Sequence, residues 1–208
     1  MDRDAPESGN KITVTKRYNA VAVLLHWSMA SGFFLMLGSG FALEYLEMDK
    51  SFKFQLFQWH KSGGVLLLIA FCLRVIWRLL HKPPTLPDYI KGMEKHMVHI
   101  GHFVLYALMF VMPFSGWVMV SSSDFGLPTI VFGLFEWPHI PNIQGNEAIN
   151  GASKQAHFIL AILFAVTVLG HFGAVIKHAV IDRDNLLHRM TFPLKKVKRK
   201  LEEGLDDA

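Results

Sequence analysis

Three stretches of this chain, residues 18–43, 96–123 and 155–176, contain no Asp, Glu, Lys or Arg. A bilayer core about 30 Å thick is crossed by roughly 20 apolar residues of helix. Backbone in lipid must also satisfy its own hydrogen bonds, which a helix does and an open strand does not. An apolar content of 51% over 208 residues is high for a soluble protein, so the three stretches read as membrane-spanning helices. A fourth, 54–80, is interrupted by Lys61, Arg74 and Arg78. Lys61 and Arg78 lie near its ends, where long side chains can snorkel to water; Arg74 lies deeper and needs a partner. Residues 125–135 are apolar too, but Gly126, Pro128 and Gly133 break them and about 11 residues cannot span the core. The expectation there is a loop against the interface, with Trp137 at headgroup level.

Four spans place both termini on one side. The N-terminal segment, the connection between the second and third spans with its flanks, and the C-terminal segment hold 17 of the 21 Lys and Arg; Lys50, Lys53, Lys61 and Lys154 are the rest. The positive-inside rule then makes both termini cytoplasmic. The net charge of +4 reports this topology and gives no support for nucleic-acid binding. The tail KKVKRK reads as a solvated positive-inside segment that can touch anionic membrane lipid. Residues 1–17 are polar, and the first span is too long for the core of a signal peptide, so no cleaved segment is expected. Cys72 is the single cysteine, which excludes an internal disulfide and a Cys-x-x-Cys motif. The proline-rich HKPPTLPDY ends the second span.

Eleven histidines are many for this length, and depth sorts them. His157 and His171 are two heptads apart, hence on one face of a supercoiled helix and about 21 Å apart along it. His26 lies about 12 Å in from the cytoplasmic end of the first span, level with His171, and His60 about 9 Å in from the outer end of the second, level with His157. Two cross-bundle pairs follow, His26 with His171 and His60 with His157. A histidine pair with no Asp, Glu or Cys to complete a tetrahedral set suits haem and not zinc. Without Cys-x-x-Cys-His the haem is b-type, held only by its ligands and the pocket.

Arg74, two heptads beyond His60, falls level with the inner pair. It can reach a haem propionate or snorkel to headgroups. His96, His99 and His102 open the third span; His99 and His102 can line the inner haem, handle protons, or compete with His26 as second inner ligand. His81, His139, His178 and His188 receive no role. Pro113 with Gly116 predicts a kink in the third span, and Gly38, Gly40, Gly63 and Gly64 permit close approach of helices or of a macrocycle.

LLHW, QWHKSGG with LRVIWRL after it, HIGHFVLYALMFVMPFSGW, and AHF followed fourteen residues later by GHF resemble the prokaryotic cytochrome b561 family over about residues 17–190. The resemblance implies an all-α, four-helix dihaem cytochrome of the bacterial inner membrane, with His26, His60, His157 and His171 as axial ligands to two b-type haems. It divides the chain into a polar N-terminus 1–17, a cytochrome domain 18–190 and a tail 191–208. Some members are implicated in oxidising superoxide at the outer face and reducing ubiquinone. That gives the expected function, with Lys53, Lys61 and Lys154 either drawing an anion by local field or standing as ordinary lipid-facing or solvated lysines. The alternative is a haem-bearing anchor relaying electrons between a partner dehydrogenase or hydrogenase and quinone. A histidine-based metal transporter is disfavoured, because the spans lack Asp and Glu.

Overall fold

The computed structural model describes residues 17–87, 89–184 and 186–191; the readings for residues 1–16 and for the tail from 192, including KKVKRK, fall outside them. Four long helices run antiparallel to one another in chain order: α1 Ala20–Tyr45, α2 Lys50–Leu80, α3 Gly92–Ser121 and α4 Glu147–Ile176. All four are long and apolar enough to cross a membrane, and the fold is an all-α integral membrane bundle. α2, α3 and α4 start four to eight residues before the stretches read from composition and α1 is shifted by two, because caps set the ends and hydropathy does not. Asn19 Oδ1 accepts from Ala22 N at 2.8 Å, Asp49 Oδ1 from Ser51 N at 2.8 Å, and Asn146 Oδ1 from Ile149 N at 3.0 Å. Each bond satisfies one of the donors a helix start leaves unpaired. α3 has no such cap and instead starts from Gly92 at φ +55°, a conformation that glycine adopts without a Cβ clash.

The expected loop at 125–135 proves to be partly a β-hairpin. Strand β1 Thr129–Val131 pairs antiparallel with β2 Phe135–Trp137. Phe132 and Gly133 both have positive φ, 46° and 77°, as a type I′ turn requires. Gly133 served as a breaker in the sequence reading but acts here as the turn. The hairpin sits on α2: Ser62 Oγ donates to Ile130 O at 3.2 Å and accepts from Phe132 N at 3.3 Å. Val131 is fully buried. Ser121 Oγ accepts from Ile140 N, which pins the long connection to α3, and Asn150 Nδ2 of α4 donates to Met119 O of α3, which ties the two helices together beneath it. We call this the hairpin end of the bundle. At the termini end, Trp77 Nε1 donates to Asn19 Oδ1, Trp27 Nε1 to Met190 O, and Tyr18 N to Arg189 O.

Side chains in the bundle stack in three layers spaced by heptads. On α1 the series is His26, Phe33, Gly40; on α2, Arg74, Leu67, His60; on α3, Gly101, Leu108, Ser115; on α4, His171, Phe164, His157. The middle layer is the hydrophobic core, Phe33, Leu67, Leu108 and Phe164, joined by Met29. Phe33 and Phe164 meet edge to face with ring centres 4.8 Å apart, a favoured aromatic geometry. Helix α3 continues through Pro113 without a break in its assignment.

Candidate functional site

At the hairpin end the rings of His60 and His157 face across the bundle with centres 6.3 Å apart. Their Nδ1 atoms are held alike. Ser39 Oγ donates to Met36 O at 3.1 Å and Ser115 Oγ to Met112 O at 2.7 Å, so each hydroxyl oxygen remains to accept the Nδ1–H of His60 or His157, both at 2.9 Å. That fixes the tautomer and leaves each Nε2 lone pair free for a metal, as in metal-bound histidines generally. Each bond contributes about 1 kcal/mol toward holding its ring. A Cβ on Gly116 would lie 3.0 Å from His157 Cε1, and one on Gly40 3.3 Å from His60 Cε1, so these glycines make room for the imidazoles. Gly116→Val is expected to push His157 off its serine and, if haem binds between His60 and His157, to cost part of the b-type absorbance; an unchanged reduced-minus-oxidised spectrum would contradict this.

The two rings border a partly open cleft that encloses about 80 Å³. Phe33, Leu67, Leu68 and Phe164 form its apolar floor, and Lys61, Thr129 and Trp137 lie toward the hairpin. A second, apolar recess lined by Cys72, Phe110, Phe114, Trp117 and Trp137 adjoins it.

At the termini end His26 and His171 have ring centres 6.4 Å apart. His102 is as close to His171, at 6.0 Å, and His102 Nδ1 lies 2.7 Å from Val98 O, the bond its N–H would donate. Distance alone therefore does not separate the two candidates. The side chains differ in exposure, His26, His171, His60 and His157 being half-buried and His102 and His99 more exposed. His99 Nδ1 pairs with the carbonyl of Lys95, one turn back on its own helix, and does not reach the pair. Arg74 turns inward and does not snorkel. Its Nε donates to Tyr106 Oη at 3.1 Å, and its Nη2 stands 3.4 Å from His26 Nδ1. Tyr106 went unremarked in the sequence, although it follows His102 by four residues and so shares its helix face. His178, given no role above, is buried where α4 passes into a π-helical segment, Lys177–Ile181. There it meets Asp184 at 2.8 Å and Asp182 at 3.1 Å, while Lys177 bridges Asp182 and Glu94. This network ties the last turn of α4 to the first turn of α3.

Whether the paired residues fit haem is a matter of spacing and donor set. Two imidazoles on opposite faces of one iron have ring centres roughly 6 Å apart, counting about 2 Å per metal–nitrogen bond and about 1 Å from nitrogen to ring centre. The observed 6.3 and 6.4 Å match. Among the described residues, the group of three His, Asp or Glu side chains close enough to share an ion is Glu94, His178 and Asp182, which includes none of the paired histidines. Each pair thus offers two nitrogens and no third protein ligand, the donor set of an axially ligated haem.

A family model described as prokaryotic cytochrome b561 matches residues 17–193. The chain is 32% identical over 176 residues to "Cytochrome b561 homolog 2" of Escherichia coli (strain K12), covering 84% of this chain and 91% of that protein. It is 26% identical over 179 residues to "Probable superoxide oxidase CybB" of Yersinia pestis, covering 84% and 96%. With four membrane helices and paired core histidines beneath that match, the chain belongs to the prokaryotic cytochrome b561 family, membrane electron-transfer proteins that carry b-type haem.

Proposed function

We propose that this chain is a dihaem cytochrome of the bacterial inner membrane that oxidises superoxide at the hairpin end and reduces ubiquinone. The observation that carries the reading is the duplication of one geometry at both ends of the bundle: two imidazoles from different helices, ring centres 6.3 and 6.4 Å apart, separated by an apolar layer. His60 with His157, and His26 with His171, are the axial ligands. Haem b, when bound, supplies a reversible one-electron centre at each end. The basic residues gather toward the termini, which supports a cytoplasmic termini end and an outward-facing hairpin end. The description of the Yersinia pestis relative as a probable superoxide oxidase supports the choice of donor.

The reaction balances as two superoxide ions, one ubiquinone and two protons giving two dioxygen molecules and one ubiquinol. The chain's contribution is placement. Ser39 and Ser115 orient the outer imidazoles, and Phe33, Leu67, Leu108 and Phe164 keep water from the space between the two sites. Arg74, set between Tyr106 and His26, is positioned to pair with a propionate of the inner haem. His102 and His99 line the termini end, where they can hand protons to reduced quinone.

Purified protein given a pulse of superoxide should reduce its haem faster than superoxide dismutates, and with ubiquinone present should form one quinol per two superoxide ions. Haem that stays oxidised until a co-purifying dehydrogenase or hydrogenase is added would replace this reading with that of a relaying membrane anchor.

A further inference from the structure

Lys61 is neither lipid-facing nor solvated. Next to His60 in sequence, it is only 8% exposed and lines the same cleft as His60 and His157. Its Nζ donates to Pro128 O at 2.9 Å and stands 5.3 Å from the centre of the Phe57 ring. The ion pairs of the described residues involve Lys177 and His178 and place no carboxylate at Lys61. An ammonium has three N–H donors, and a buried cation without a counter-ion carries an uncompensated desolvation cost. A second donor on the same cleft is in the same condition: Trp137 Nε1 is buried without a hydrogen-bond partner. Its neighbour Trp117, by contrast, donates Nε1 to Pro138 O at 2.8 Å. One wall of the cleft therefore presents a cation and an indole N–H, and no acid answers either.

We propose that Lys61 and Trp137 form an anion subsite, under the hairpin and beside the outer histidine pair, that takes an anionic oxygen atom. Two sources share that chemistry, a diffusing superoxide ion and a carboxylate of the haem itself. Both rest on the proposed haem at the outer histidine pair; only the first rests also on superoxide as the donor. The hairpin serves as the roof of the subsite. Pro128 O takes one Lys61 donor, Ser62 holds Ile130 and Phe132, and Trp137 comes from the returning strand.

The test uses the purified haem-loaded protein with Lys61→Gln, which keeps an N–H for Pro128 but loses the charge, Lys61→Arg, which keeps the charge, and Trp137→Phe, which keeps the ring but loses the donor. Reduction by superoxide pulses, with and without thiocyanate as an inert anion, is compared with reduction by a neutral quinol, and haem is counted by pyridine haemochrome. For a diffusing anion, Lys61→Gln slows the superoxide reaction about tenfold or more and Trp137→Phe slows it less. Lys61→Arg stays within about twofold, thiocyanate slows only proteins that keep the charge, and quinol rates and haem content hold. For a haem carboxylate, Lys61→Gln and Trp137→Phe lower outer-haem content or slow both reductants alike, and thiocyanate has no effect. Variants that match the wild type in every readout would overturn the subsite and leave Lys61 as a strap on the hairpin. Wild-type protein unreactive to superoxide would instead overturn the functional reading, and haem content in Lys61→Gln would then decide the subsite alone.

Discussion

His60→Ala is expected to yield a protein with half the wild-type haem, folded and still red. The two sites share no side chain: His60 and His157 lie at one end, His26 and His171 at the other, and the layer of Phe33, Leu67, Leu108 and Phe164 stands between them. On the proposed ligation, removing one imidazole would deprive one iron of an axial ligand, while the far pair keeps its packing. Independent sites with no common partners respond additively. His26→Ala should therefore give the complementary half, with the redox titration losing its other component. On the proposed ligation His102→Ala should keep both haems, because His26, held beside Arg74, is the imidazole opposite His171. Loss of both haems from a single substitution would mean one coupled site, and loss of a haem in His102→Ala would move the inner ligand to α3.

The second large effect falls on stability. Phe164 is 2% exposed, sits seven residues from each histidine of α4, and packs edge to face on Phe33. Phe164→Ala opens a cavity at the one level where no cofactor is called for, at a cost of about 3 kcal/mol by analogy with buried aromatic truncations. Lipid reduces the solvation part of that cost but not the lost contacts. In detergent the protein should melt well below the wild type, with both haem signals lost in one transition, while Phe158→Ala, on a residue 46% exposed, should melt close to the wild type. Equal melting of the two variants would show that the middle layer does not hold the bundle together.

The spans and the histidine pairs were legible because each follows from a single helix period. Fourteen residues from His157 to His171, and from His60 to Arg74, fix face and depth with no knowledge of neighbours. The same period, read at seven, places Phe33, Leu67 and Phe164 between them. What escaped depends on residues far apart in the chain. The depth of Lys61 is visible in sequence and permits snorkelling, whereas its partner Pro128, 67 residues on, is not visible there. The hairpin was missed because two three-residue strands are too short to show alternation, and Gly133 signals a break and a turn equally. Ser39, Ser115 and Tyr106 are ordinary helix residues until the opposing helix arrives. Depth does not rank His26 against His102, and in the fold their rings stand 6.4 and 6.0 Å from that of His171.

On the proposed ligation the chain holds two irons, one at each end of the bundle. Haem per chain, measured by pyridine haemochrome against amino-acid analysis, together with the electron paramagnetic resonance of the oxidised protein, should give two b haems, both low-spin with two imidazole ligands. One haem per chain, or a high-spin centre with a single axial histidine in the freshly purified wild type, would contradict the pairing of His26 with His171 and His60 with His157.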